Sequence, residues 1–257
     1  MPDILYEDDS ILVVRKPAGQ ESQRGRGLSL DLESELKNYI ARTTRRPEPY
    51  LAVVHRLDRP VAGVMVYAKT KNAAAVLSRS FSTGNSRKEY EALTDGIPAR
   101  AEGTLENWVL PYRAGNLSKV LTGDEAAGIP ASRKALLRYR SVELSACEAF
   151  SIAPDPAGSG GIRLLLAGKP FGRVEESRIS RIGAVRITLL TGRHHQIRAQ
   201  LAAAGFPVLG DAKYGNPCDE IQVSRGTIAL AAVRLSFRHP VHGRMMTFCW
   251  DGRMTDG

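Results

Sequence analysis

Cysteine is scarce in this chain. Three occur in 257 residues, Cys147, Cys218 and Cys249, far apart and without a CxxC pair. That spacing suggests neither a disulfide framework nor a zinc site. No apolar run approaches the roughly 20 residues of a membrane-spanning helix. The opening MPDILYEDD is acidic and lacks the apolar stretch of a secretory signal. Internal repeats, low-complexity tails and any collagen-like or disordered bias are also missing. What remains is an ordinary soluble composition, 43% hydrophobic and 25% charged with a mean hydropathy of -0.22, able to bury a real core. A reducing, cytoplasmic setting is expected.

The charge is not balanced. Lys plus Arg number 36 against 27 Asp plus Glu, a formal +9 with a pI near 9.7. Such an excess favours a polyanionic partner, although a merely solvated basic surface has the same count.

Ile11–Val14 reads as a short buried strand ended by the Lys16-Pro17-Ala18-Gly19 turn. Leu32, Leu36, Tyr39 and Ile40 share one helical face, predicting a helix over 30–42 with Ser29 as its cap. Leu51–Val54 and Val64–Ala68 are predicted strands. Asn72 is expected to cap a helix whose apolar face is Ala73, Val76, Leu77 and Phe81. Further strands are expected at 88–94, 133–144, 184–190, 227–237 and 245–250, with 153–161 (APDPAGSGG) a loop. A helix after Thr191-Gly192-Arg193 should bury Ile197, Leu201 and Ala204 before Gly205 and Pro207 stop it. Strands outnumber helices, so an α+β fold with a mixed, largely antiparallel β-sheet core flanked by helices is expected.

Three stretches carry chemistry. In HRLDRPVAG (55–63), Asp58 lies between Arg56 and Arg59 in the connection of two strands. An arginine nearby keeps a carboxylate ionised, and such a group can be nucleophile, base or metal ligand. A lone turn aspartate is more often structural. In TGRHHQIRAQ (191–200), Arg193 falls where a strand gives way to a helix, a place that suits an anion. The adjacent His194 and His195 should point to different sides of that helix and so not clamp one metal. In Lys88-Glu89-Tyr90, the tyrosine is either packing on a strand or a platform for a base.

Taken in order, these motifs resemble the RluA-type pseudouridine synthases. The family pattern is H-R-L-D-x-x-T-S-G, a tyrosine strand, then G-R-T-H-Q-I-R followed by G-x-P-x-x-G-D-x-x-Y-G. This chain ends the set with Gly205-Phe206-Pro207-Val208-Leu209-Gly210-Asp211-Ala212-Lys213-Tyr214-Gly215, and its 7–19 segment is similar to the family's first strand and KPxG turn. The resemblance covers 4–96 and 185–240, is weaker over 103–144, and leaves 145–180 unmatched. It implies a cofactor-free, metal-free isomerase that turns uridine into pseudouridine in structured RNA (tRNA or rRNA). By motif position, Asp58 would be the nucleophile, attacking C6 of the base or C1′ of the sugar. Arg193 would pair with it, Tyr90 would stack on the uracil, Arg56 would hold the flipped nucleotide out or fill its place, and Leu190 would pack behind the site. Flipping costs a few kcal/mol of unstacking. Phosphate contacts from Arg42, Arg45, Arg46, Arg133, Lys134, Arg138 and Arg140 would offset it.

Two departures stand out. Val61-Ala62 replaces the family's Thr-Ser, and His194 replaces a threonine. The expected organisation is a single catalytic domain over 1–257 with a variable insertion near 145–180 and no separate N-terminal RNA-binding domain. A monomer is expected, with no DNA and no membrane partner. A catalytically silent RNA-binding protein on the same fold is the alternative. A glycosidase fits less well, because it needs two carboxylates and these motifs offer Asp58 alone.

Overall fold

A strand buried on both faces reads as an unbroken apolar run, and Ile11, Leu12, Val13 and Val14 are all fully buried. A computed structural model describes residues 1–25, 30–45, 47–112, 115–156, 161–215 and 221–256. The chain forms two units, Met1–Lys88 with Ala232–Gly257, and Glu89–Ala231.

The first unit opens with β1 (Asp3–Glu7), β2 (Ile11–Lys16), α1 (Leu32–Thr44), β3 (Ala52–Val53), β4 (Ala62–Ala68) and α2 (Lys71–Ser82). Helix α1 is capped by Asp31, whose carboxylate accepts the Ser34 N–H at 3.0 Å. The expected cap, Ser29, lies outside the described residues. Thr70, not Asn72, caps α2, because its hydroxyl reaches the Ala73 N–H at 3.1 Å. Of the predicted α2 face, Ala73 and Leu77 are buried while Val76 is exposed.

Strand β5 (Arg87–Asp95) carries the chain into the second unit. There follow β6 (Glu102–Tyr112), β7 (Leu117–Leu121), α3 (Gly123–Ala126), β8 (Arg133–Ser141), β9 (Phe150–Pro154), β10 (Gly161–Leu166), β11 (Lys169–Glu175), β12 (Ile182–Leu189), α4 (Gln196–Ala203) and β13 (Ile221–Val223). Its main sheet runs β5-β12-β8-β6-β7, and β13-β11-β10-β9 form a second, antiparallel sheet. The unmatched stretch 145–180 carries β9, β10 and β11; of the predicted 153–161 loop, Ala153 and Pro154 close β9, Gly161 opens β10, and 157–160 lie outside the described residues.

The basic run 133–140 alternates on β8. Ala135, Leu137 and Tyr139 point inward, and Lys134, Arg138 and Arg140 point to solvent. Helix α4 covers the inner face, where the Gln200 amide donates to the Leu105 carbonyl (3.1 Å) and to Asn107 Oδ1 (2.9 Å). Its buried side is wider than an apolar stripe. Gln196 through Leu201 are all buried, Arg198 and Gln200 included, whereas Ala204, expected in the core, is exposed.

Strand β14 (Leu230–Arg238) returns the chain to the first unit, which closes with β15 (Met245–Cys249) and β16 (Met254–Asp256). The sheet order there is β1-β2-β4-β14, with β15 on β14, β16 on β15 and β3 on β4. One face packs Ile11, Val13, Val64, Val66, Leu235, Phe237, Met246 and Phe248 against Ala73 and Leu77 of α2. Gly63 is required where β4 passes β14. Its φ is +149°, and a Cβ would fall 2.4 Å from that of Ala232.

Candidate active site

Asp58 sits half-buried in the 54–61 loop that feeds β4, with exposed Arg56 and buried Leu57 before it. Its carbonyl accepts the Val61 N–H at 3.0 Å, closing a tight turn over Arg59 and Pro60. The residues on either side of Asp58 are held by the segment that follows β2. Ser22 Oγ donates to the Leu57 carbonyl at 2.8 Å and accepts the Leu57 N–H at 3.2 Å. The Arg59 carbonyl accepts the Gly19 N–H at 2.8 Å and Lys16 Nζ at 3.2 Å, while Arg59 Nε donates back to the Gly19 carbonyl at 2.9 Å.

Lys16 is fully buried, and its ammonium also donates to the carbonyls of Pro17 (2.9 Å) and Gln20 (2.7 Å). Burial pushes it down to about 7, partly opposed by the carboxylate of Asp58 and assisted by the cation of Arg59. His55, at the start of the loop, is held neutral. Its Nε2 accepts the Val66 N–H at 3.1 Å, its ring stacks on Phe81, and burial, then Lys88, push it down to about 3.

The second unit carries the other candidates. Tyr90 is buried in β5, beside β12 in the sheet. The strand is buried on both faces rather than half-buried, and Glu91 is accommodated there by Arg186 Nη2 at 2.6 Å and by the N–H groups of Glu148 and Ala149. Leu190 follows β12, 40% exposed, with its N–H on the Leu136 carbonyl at 3.1 Å. Arg193 is exposed in the turn before α4. Its N–H donates to Gln196 Oε1 at 2.9 Å, and its Nε donates to the Lys134 carbonyl at 2.9 Å.

The two histidines differ from expectation. They precede the helix proper, and His195, at φ 50°, is its left-handed N-terminal residue. In that conformation their rings stack, centroids 3.8 Å apart, rather than diverging. His194 Nδ1 meets Ser118 Oγ at 2.9 Å, and His195 Nδ1 meets the Tyr214 hydroxyl at 2.9 Å. The Tyr214 oxygen also accepts the Ser118 N–H at 2.7 Å. Below them Arg198 and Asp211 form a sealed, two-pronged ion pair. Among the described residues no group of His, Cys, Asp and Glu is arranged to hold a metal ion.

Arg56 and Asp58 thus share one loop of the first unit, while Tyr90, Leu190 and Arg193 lie on neighbouring segments of the second. Reading the motifs alone missed Lys16 and Ser22 as supports of the Asp58 loop. The available signal was a lysine closing an apolar run, a position where its ammonium must find buried acceptors.

A family model described as RNA pseudouridylate synthase matches residues 10–203, spanning Arg56, Asp58, Tyr90, Leu190 and Arg193. The chain belongs to that family. Within it, the dual-specificity RNA pseudouridine synthase RluA of Escherichia coli (strain K12) is 31% identical over 250 residues, covering 95% of this chain and 90% of the relative. Ribosomal large subunit pseudouridine synthase C of Escherichia coli O6:H1 is 31% identical over 252 residues, covering 95% of this chain and 64% of the relative. Among solved structures, human RNA pseudouridylate synthase domain containing 4 shares the fold, with a TM-score of 0.61 at 22% identity over 91% of this chain and 84% of that one. This RluA-type pseudouridine synthase is an isomerase acting on RNA. No helix among its described residues is long and apolar enough to cross a membrane.

Proposed function

We propose that this pseudouridine synthase isomerises uridine in structured tRNA or ribosomal RNA through Asp58. The carboxylate attacks C6 of the uracil or C1′ of the ribose. The N1–C1′ bond breaks, the base turns, and a C5–C1′ bond forms. The C5 hydrogen leaves as a proton, N1 gains one, and Asp58 is released unchanged. No cofactor enters this balance. Arg193 serves as counter-ion of Asp58, Tyr90 stacks on the uracil, Leu190 offers apolar surface behind the base, and Arg56 stabilises the flipped nucleotide. The dual-specificity RNA synthase and the ribosomal large subunit synthase among its relatives support RNA, and ribosomal RNA in particular, as the substrate class. We further propose that residues 1–257 act as one catalytic domain, monomeric and cytoplasmic.

The observation that carries Asp58 is its seat. It lies on a turn whose flanking peptide groups are pinned at Leu57 and Arg59, and a nucleophile is effective only when so held.

The test is tritium release from RNA labelled as [5-3H]uridine, taken from cells lacking the gene. Asp58→Asn should release none while keeping RNA affinity within about threefold, because a nucleophile need not contribute to binding. Full turnover by Asp58→Asn sinks the assignment. A wild-type protein that binds RNA but releases no tritium is the silent alternative.

A further inference from the structure

His194 is exposed, yet its ring is held on two sides. One face lies on the ring of His195, centroids 3.8 Å apart and planes 19° from parallel. One edge is tethered to β7. Ser118 Oγ donates to the His194 carbonyl at 2.7 Å and lies 2.9 Å from His194 Nδ1. A hydroxyl has a single hydrogen, so with that hydrogen on the carbonyl, Nδ1 is the donor to Oγ. The ring cannot turn over without losing a hydrogen bond.

The support beneath it is equally fixed. His195 is buried, and its Nδ1 meets the Tyr214 hydroxyl, whose oxygen accepts the Ser118 N–H. Its φ of 50° is a left-handed backbone, which a non-glycine residue keeps only where its surroundings enforce it. That backbone lays one imidazole on the other. Cations flank the pair. Exposed Arg193 precedes it, and exposed Lys213, next to Tyr214, donates to the Gly115 and Asn116 carbonyls at 3.1 and 2.9 Å.

We propose that His194 stacks on an unpaired base of the substrate RNA and so helps to select which RNA loops bind. Sequence-specific recognition of RNA targets loops whose bases are splayed onto aromatic side chains, histidine included. A planar, exposed ring backed by a second ring suits such a base, and holding it in one orientation beforehand lowers the entropy lost on binding. A phosphate contact needs no backing ring, and the neighbouring cations suit phosphates better. The family pattern has threonine at this position, which offers no flat surface. The contact therefore belongs to this chain rather than to the shared motif. The inference rests on the reading that the Arg193 turn lines the active site.

The test compares wild type, His194→Thr, His194→Phe and Arg193→Ala by tritium release and filter binding of the same [5-3H]uridine RNA, with folding followed by circular dichroism. Losing one base–aromatic stack weakens binding by roughly 5- to 100-fold. His194→Thr should accordingly raise apparent KM and Kd together by about 5- to 20-fold, at the low end for an exposed ring, while kcat falls less than about threefold. His194→Phe keeps a ring and leaves the Ser118 hydroxyl on the main-chain carbonyl, so it should recover most of that affinity. The slope of log Kd against log salt should match wild type in both, because a stack releases no condensed counterions. Should His194→Thr not fold, His194→Ala is read in the same way. A folded His194→Thr with wild-type KM and Kd overturns the inference. So does a His194→Phe as weak as His194→Thr, or a salt slope reduced by one contact, which marks a phosphate partner instead. Full turnover by Arg193→Ala overturns the underlying reading of the turn, whereas an impaired Arg193→Ala beside a His194→Thr that behaves as wild type sinks this inference alone.

Discussion

The guanidinium of Arg198 grips the carboxylate of Asp211 through Nε at 2.6 Å and Nη2 at 2.7 Å, and almost no water reaches either side chain. Asp211 Oδ1 also accepts the Lys213 N–H at 3.1 Å, and Arg198 lies over the ring of Tyr214. The pair joins α4 to the 211–215 turn. Such pairs contribute little over an apolar replacement, but breaking one strands a charge in the interior.

Arg198→Met and Asp211→Asn should each destabilise the fold by about 3–5 kcal/mol, the cost of an uncompensated buried charge. The double variant should recover part of that loss, because neither partner is then left charged and alone. Urea unfolding of all four proteins measures this. Strictly additive losses would show that the two residues are not coupled.

Strand periodicity was legible because two clear patterns were present. Ile11–Val14 is buried on both sides, and 133–140 alternates. Strand β6 was not read because its inward positions include Gly103 and Asn107, which interrupt the apolar half of the alternation. The 145–180 region escaped because its strands are short and interrupted by Gly and Pro. Among the candidate residues, Asp58 and Arg193 were legible as motif positions. Lys16 and Ser22 were not, because their importance lies in hydrogen bonds to main-chain atoms more than 30 residues away, which leave no mark in side-chain spacing. The stacking of His194 on His195 was misread for a local reason. The expectation placed both on a helix, whereas the left-handed backbone of His195 turns the rings onto one another.

His55 makes the stability pH-dependent with a definite sign. Its Nε2 accepts a main-chain N–H, so a proton there would break that bond, and burial pushes the ring from 6.5 down to about 3. The unfolded chain therefore binds a proton that the folded chain refuses between those values. The contribution is full above pH 6.5 and is lost as pH falls toward 3. Relative to His55→Gln, wild type should lose stability more steeply between pH 6.5 and 4. Parallel curves of unfolding free energy against pH for the two proteins would refute the assignment.

The exposed face of β8 supplies the last prediction. Arg138 and Arg140 stand on it two residues apart, and Lys134 shares the face but is engaged by Glu106. A cation already neutralised by a carboxylate has less to offer a phosphate. Each phosphate contact releases condensed counterions, changing the slope of log K against log salt by about 0.7 for single-stranded and 0.9 for duplex nucleic acid. Arg138→Gln should therefore weaken RNA binding and reduce that slope by roughly one contact, whereas Lys134→Gln should alter it much less. Turnover at saturating RNA should stay near wild type in both, since neither residue is assigned to the chemistry. Filter binding from 50 to 300 mM salt, a range chosen to span about a sixfold change in ionic strength, reads the slopes directly. Equal slopes for wild type and Arg138→Gln would place the RNA on another surface.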